Sequence, residues 1–356
     1  MPRPPMPTMS RLRVVVATPL ADALVAWLQD ALPDVDVVAD ASLLPPQRWP
    51  ADFVGDPAFR RTSDQQAAFD AMVDSADALF GIPDGSADAL ARAVRAGSRL
   101  RWVHTMAAGG GAQVRAAHLT DDELRRVTFT TSAGVHARPL AELALLGVLA
   151  GAKDLGRLRA QQASRTWPDP RPMRSLPDLV VAVLGLGHIG RATAALLQRV
   201  GVRVVGVTRD GRPRGDVTDV VATTELVTIA PRVDALVVTL PGTDATRGLV
   251  DAAVLSALRP GATVVSVGRG SVIDEAALVC ALESGVVGNA VLDVFAVEPL
   301  PADSPLWAMP QVVISPHTAA VTADQERLIA ELFVDNARRL LRGEPMRNVV
   351  DTVEFY

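Results

Sequence analysis

Cysteine and lysine are nearly missing from this sequence. Its single cysteine, Cys280, can close no disulfide within the chain and cannot build a thiolate metal site by itself. Within DEAALVCALESG it reads as a small, buried helix residue, where free cysteine commonly sits. Lys153 is the only lysine, which leaves essentially no candidate for Schiff-base chemistry. No run reaches the roughly 18 consecutive apolar residues that cross a bilayer. The first ten residues, MPRPPMPTMS, lack the apolar core of a signal peptide and suit a flexible tail or a mis-assigned start, so a cytoplasmic location is expected. A net charge of -5 argues against a general nucleic-acid binder, which needs a clustered basic surface.

What is present is ample material for folded cores. Of 356 residues, 49% are hydrophobic and 21% charged, and this length exceeds what one core usually organises, so two domains are expected. LRVVVAT (12–18) reads as a strand, and ADALVAWLQDAL after it has helical spacing of apolar positions. ALFGIPDG, LRWVHTMAAGGG and VTFTTSAG each read as a strand ending in a glycine-containing loop. Such alternation predicts a parallel sheet with helices on its faces. A long apolar helix from Pro139 to about Leu155 opens with proline where a missing N–H costs little.

A second unit begins at DLVVAVLGLGHIGRATAALLQRVG, followed by the strands VRVVGVT, DALVVTLPG, ATVVSVGRG, GNAVLDVFA and QVVISPHTA. Ligands of such sheets lie beyond the carboxyl ends of the strands, so these loops should share one crevice. A closing helix over about 323–341 is expected to pack on the first domain. The predicted class is α/β with two Rossmann-like domains of doubly wound parallel sheets. Domain limits are set at 1–138 plus 321–356, a discontinuous substrate-binding domain, and 139–320, a dinucleotide-binding domain, with the cleft between them.

Gly185-Leu-Gly-His-Ile-Gly190 carries the G-x-G-x-x-G spacing directly between a strand and a helix. Gly185 permits a tight turn, Gly187 lets backbone approach a pyrophosphate, and Gly190 lets helix and strand lie close. His188 and Ile189 complete the fingerprint. About 20 residues on, where an NAD-selective site places an acid, stand Thr208 and Arg209. Arg209, aided by Arg212 or Arg214, could grip a 2′-phosphate, so NADP(H) is the expected cofactor. Asp210 keeps NAD(H) open, because a one-residue shift would present it to the ribose.

Three further motifs follow in order: SVGRG around Arg269, LDVFAVEPLP around Asp293 and Glu298, and ISPHTAA around His317. With the fingerprint, LPGTDATRGLV and DSPLWAMPQVVISPHTA, they resemble the D-isomer-specific 2-hydroxyacid dehydrogenase family, including its glyoxylate/hydroxypyruvate reductases, over about residues 100–350. The resemblance implies that Arg269, Glu298 and His317 are catalytic. It extends the cofactor set to Leu240, Pro241, Thr246, Val267, Gly268, Asp293 and His317, with Asp293 near the nicotinamide carboxamide. It also implies a homodimer formed through the cofactor domains and the Pro139 helix.

The chemistry accounts for these residue types. Hydride delivered to the carbonyl carbon of a 2-oxo acid leaves charge on oxygen, and a histidine can supply the proton near neutral pH. Glu298 would stabilise and orient the imidazolium. Arg269 would bind the substrate carboxylate and polarise the carbonyl. The remaining histidines, His104, His118 and His136, are read as structural or surface residues, and no metal is expected.

By resemblance, the loop Met106–Gly111 presents backbone N–H groups to the substrate carboxylate through Ala107, Ala108, Gly109 and Gly110. Its three consecutive glycines depart from the family pattern, where a larger residue and often an acid or amide stand. Neither this loop nor GIPDG (81–85) offers a cation for a substrate phosphate, so a small 2-oxo acid such as glyoxylate or hydroxypyruvate is favoured over phosphoglycerate. The alternatives left open are a dehydrogenase of another small acid, such as formate or phosphite, and a dinucleotide-sensing protein resembling the C-terminal-binding corepressors.

Overall fold

The computed structural model describes residues 11–353 and Phe355, so the reading of the first ten residues lies outside it. The chain divides into two compact units, one running to Val135 and resuming at Thr322, the other spanning His136–Val321.

The first unit holds β1 (Leu12–Val16), β2 (Val35–Val38), β3 (Ala78–Phe80), β4 (Trp102–Thr105) and β5 (Thr128–Thr131). They form one parallel sheet in the order β2-β1-β3-β4-β5. β1, β3 and β4 are buried along nearly their whole length, which is why they read as continuous apolar runs and not as alternating ones. One face is covered by the helices Ser63–Asp74 and Ala87–Ala96 around Phe69, Leu79, Leu90 and Phe129. The other is covered by Asp22–Ala31 and by the C-terminal helix Gln325–Arg342, which buries Ile329, Phe333 and Ala337 against Phe80 and Trp102. Phe333 stacks on Trp102 with ring centroids 4.4 Å apart and meets Phe80 edge-on at 5.0 Å. Such aromatic pairs add about 0.5–1.5 kcal/mol beyond their area. The last helix thus belongs to the first unit although the second intervenes in sequence.

The second unit holds β6 (Val180–Leu184), β7 (Arg203–Thr208), β8 (Val220–Ala222), β9 (Ala235–Val238), β10 (Ala262–Ser266), β11 (Val287–Leu292) and β12 (Val312–Ile314). Their order is β12-β11-β10-β9-β6-β7-β8, parallel throughout. The strand order reverses between β6 and β9, the place where such sheets open to receive a ligand. The helices Ala137–Ala152 and His188–Arg199 cover one face, and Ala252–Ala257 and Glu275–Glu283 the other. Pro139 falls in the first turn of its helix, where N–H groups have no intrahelical partner.

Two readings are corrected. The Pro139 helix ends at Ala152, not near Leu155, because Asp154 turns left-handed (φ 52°) and caps a separate helix, Leu155–Ser164, through the Arg157 N–H. Cys280 is exposed: its helix buries Leu278, Ala281 and Leu282, and the stripe they form leaves Cys280 on the solvent side. β2 and β8 were not assigned from the sequence because both are edge strands too short, at four and three residues, to show a period. Among the described residues, no helix is long and apolar enough to cross a membrane.

Candidate active site

Because every strand of the second unit runs the same way, the segments that follow the strands all leave from one edge of the sheet. The fingerprint follows β6, Thr208 ends β7, Leu240–Thr246 follow β9, Val267–Gly270 follow β10, Asp293–Glu298 follow β11, and Ser315–Ala319 follow β12.

The glycine loop has the geometry its spacing requires. Gly185 is left-handed (φ 88°), which costs a glycine little. A Cβ on Gly190 would lie 1.8 Å from the Gly185 carbonyl oxygen, so only glycine lets the helix start this close to the strand. A Cβ on Gly187 would meet nothing within 4 Å, which leaves the start of the helix His188–Arg199 open to an approaching group. Thr239, at the end of β9, donates its hydroxyl to the carbonyls of Leu184 and Gly185, both at 2.9 Å, and pins the turn. Sequence reading missed Thr239, since a threonine at a strand end carries no distinguishing signal.

At the end of β7, Thr208 is buried and donates to Asp210 at 3.2 Å. Asp210 is drawn into its own loop by Arg214 at 2.9 Å, by Arg212 at 3.8 Å and by the Arg212 N–H. The Arg214 hydrogen bond is the main reason its carboxyl stays below the ordinary range. Arg209 is exposed and forms no ion pair or hydrogen bond with the described residues. Of the three arginines considered for a phosphate, two are therefore engaged with Asp210 and one is free. Thr246 folds inward, donating to Pro241 O at 2.6 Å.

Arg269, Glu298 and His317 come together. His317 Nδ1 and Glu298 Oε2 are 2.7 Å apart, while Glu298 Oε1 accepts the Phe295 N–H at 3.0 Å. Partial burial pulls the Glu298 pKa upward, but the hydrogen bonds from His317 and Phe295 and the charges of His317 and Arg269 outweigh it and hold the carboxyl below its ordinary value. Glu298 is thus ionised at neutral pH, and with Nδ1 turned toward it, His317 keeps Nε2 for another partner. Arg269 is exposed and donates to Gly268 O at 2.8 Å.

Asp293 is buried, and its Oδ1 accepts from the Ser315 hydroxyl and, at 3.0 Å each, from the N–H groups of Thr318 and Ala319. Its carbonyl accepts the His317 N–H at 2.9 Å. Four bonds to one residue hold the turn in which His317 is left-handed (φ 55°), a conformation uncommon for residues other than glycine. Ser315 and Thr318 were missed for the same reason as Thr239.

His136, read as structural or surface, is buried at the start of the Ala137–Ala152 helix. Burial and then the Arg269 charge lower its pKa, so it is neutral at neutral pH. In the first unit, Gly110 packs on Thr105, where a Cβ would come within 1.7 Å of the Thr105 hydroxyl. Ala107 and Gly109 are exposed and Ala108 half-buried at the tip of that loop. No group of three or more His, Cys, Asp or Glu among the described residues gathers as it would around a metal ion.

Residues 145–319 match the family described as D-isomer specific 2-hydroxyacid dehydrogenase, NAD binding domain. The chain is 31% identical over 263 residues to the glyoxylate/hydroxypyruvate reductase A of Salmonella dublin, covering 73% of this chain and 83% of the relative. A D-isomer specific 2-hydroxyacid dehydrogenase from Xanthobacter autotrophicus Py2, solved with NADPH and MES, is 33% identical with a TM-score of 0.74 over 98% of this chain and 100% of its own. An NADPH-dependent glyoxylate/hydroxypyruvate reductase from Sinorhizobium meliloti, solved with NADP and sulfate, is 25% identical with a TM-score of 0.74 over 97% and 100%. With an open glycine loop, an arginine and a carboxylate-paired histidine on one sheet edge, and with these relatives matching along most of its length, the chain belongs to the D-isomer specific 2-hydroxyacid dehydrogenases, a family of NAD(P)-dependent oxidoreductases.

Proposed function

We propose that this enzyme reduces a small 2-oxo acid of the glyoxylate or hydroxypyruvate kind to the D-2-hydroxy acid, with NADPH as the preferred reductant. The observation that carries the reading is the 2.7 Å pairing of His317 with an ionised Glu298 beside Arg269. The names of the Salmonella and Sinorhizobium relatives support the substrate class.

A dinucleotide fits the glycine loop, where Gly187 leaves open space that a side chain would fill. Gly185, Gly187, His188, Ile189 and Gly190 would hold its pyrophosphate through backbone, with Leu240, Pro241, Thr246, Val267, Gly268 and Asp293 along the same edge. Arg209 would pair with the 2′-phosphate, while Asp210, occupied by Arg212 and Arg214, leaves the ribose without an acidic partner. NADP or NADPH in the Xanthobacter and Sinorhizobium structures supports this preference. The bound cofactor supplies hydride to the substrate's carbonyl carbon. Arg269 binds the carboxylate and polarises the carbonyl oxygen, and His317 Nε2 protonates that oxygen. In the Met106–Gly111 loop the Gly110 N–H is spent on the Ala107 carbonyl at 3.2 Å, so it is not one of the donors expected for a substrate carboxylate. The enzyme works as a homodimer, which the exposed Leu146 on the Ala137–Ala152 helix and the fully exposed Trp167 beyond it support.

The test is a panel of 2-oxo acids assayed with NADPH and NADH. Turnover of glyoxylate or hydroxypyruvate, with higher kcat/KM for NADPH, is expected. Arg269→Ala should remove about 100-fold or more of kcat/KM with cofactor affinity unchanged, in line with loss of one charge-stabilising donor. Absence of turnover on every 2-oxo acid would defeat the reading and favour a dinucleotide sensor.

A further inference from the structure

Glu298 does its work from a short turn, Phe295–Glu298, and two neighbouring N–H groups of that turn each end on a carboxylate. The Phe295 N–H goes to Glu298 itself at 3.0 Å, and the Ala296 N–H goes to Glu275 Oε2 at 2.9 Å. Glu275 is the first residue of the helix Glu275–Glu283, five residues beyond the Arg269–Gly270 turn. It does not cap its own helix, because Asp274 already serves that purpose by accepting the Ala277 N–H at 3.0 Å.

The two turns also touch directly. A Cβ on Gly270 would lie 1.9 Å from Phe295 O and 2.6 Å from Ala296 N, so the backbone after Arg269 is in contact with the backbone that leads to Glu298. The Phe295 side chain, buried in the core of the second unit, anchors one end of the turn, whereas Ala296 and Val297 are exposed. The Glu275 bond therefore holds the otherwise solvent-facing stretch.

We propose that Glu275 is a positioning residue for the reaction: by accepting the Ala296 N–H it locks the Phe295–Glu298 turn onto the Arg269–Gly270 turn and so sets the Glu298–His317 hydrogen bond. The proposal rests on the reading of His317 as proton donor. A one-residue displacement of the turn would lengthen a 2.7 Å contact whose value falls steeply with distance and angle. The charged groups facing Glu298 are His317 and Arg269, so the lock governs how much negative charge His317 senses. A misplacement of about 1 Å at the reacting groups can cost about 100-fold in rate.

The test separates reach from charge. Glu275→Asp keeps the charge and the preference for a helix start but is one methylene short. Glu275→Gln keeps the acceptor oxygen and the length without the charge. Glu275→Asp should fold with wild-type secondary structure, lose about tenfold in kcat with KM for NADPH unchanged, and move the alkaline limb of its pH profile downward by about half a unit. Glu275→Gln should restore all three toward wild type. Wild-type kinetics in the Asp variant, a rate loss without the pH shift, or failure of Gln to rescue overturns the proposal.

The His317 pKa, measured by NMR in unliganded protein, reads the lock without turnover. A downward shift in the Asp variant alongside full activity of His317→Asn would fault the proton-donor reading and leave the lock standing. No shift, with His317→Asn inactive, would fault the lock alone.

Discussion

Replacing Glu298 with glutamine removes one negative charge from His317 while keeping an oxygen in place to accept its N–H. The side chains are 46% and 35% exposed, so water screens the pair and the coupling belongs with partly exposed ion pairs. Two unit charges about 4 Å apart interact by about 1 kcal/mol in bulk water and about 4 kcal/mol at an effective dielectric of 20. A value near the lower end, about 1.4 kcal/mol, equals one pH unit. The sign follows from the protonated imidazole being the reactant in reduction. Reduction consumes the imidazolium, which faces the Glu298 carboxylate at 2.7 Å, so removing that negative charge disfavours the reactant form and favours the neutral base. In Glu298→Gln the alkaline limb of kcat/KM for reduction should move down by about one unit. For oxidation of the 2-hydroxy acid, where His317 is the base, the acidic limb should move down equally, so the variant gains relative rate at low pH. The assay is NADPH consumption and formation across about pH 5 to 9. An unmoved limb in either direction, or movement in opposite directions, would refute the view that Glu298 acts through the charge state of His317.

Four other outcomes are expected. Arg209→Ala should raise KM for NADPH by about 10- to 100-fold, the worth of one charge-assisted phosphate contact, and leave KM for NADH nearly unchanged in steady-state assays. Phe333→Ala, which empties a fully buried site between Trp102 and Phe80, should destabilise the first unit by about 3–5 kcal/mol in urea titrations. His104 is fully buried between Thr130 and Ser132, and burial lowers its pKa to about 3, so it stays neutral in the fold but is protonated when unfolded below its ordinary value of 6.5. Stability should therefore be full above 6.5 and fall by up to about 1.4 kcal/mol per pH unit as pH drops toward 3, a slope that His104→Gln should flatten in denaturation measured at several pH values. Asp77, pulled up by burial but held below its usual 3.8 by Arg99 and the Arg13 N–H, supports the first unit above that value. It ceases to do so as acid titrates it, so Asp77→Asn should remove part of the stability gained on raising the pH through this range.

The residue order alone determined the class of fold and the glycine loop, and its resemblance to a known family singled out the three residues that meet at the β10, β11 and β12 ends. The first two left a local mark: buried parallel strands are continuous apolar runs, and a tight strand-to-helix turn demands glycine at fixed intervals. Only the tertiary structure decided what those marks could not carry. That Asp210 is spent on Arg214 while Arg209 is free depends on how a loop folds back on itself. That Asp293 holds the histidine turn and Glu275 the glutamate turn depends on contacts across about twenty residues of chain. Cys280 faces solvent because the helix phase was set by partners elsewhere in the core. Sequence periodicity records which residues must be buried, but a hydrogen bond between distant loops leaves no periodic trace.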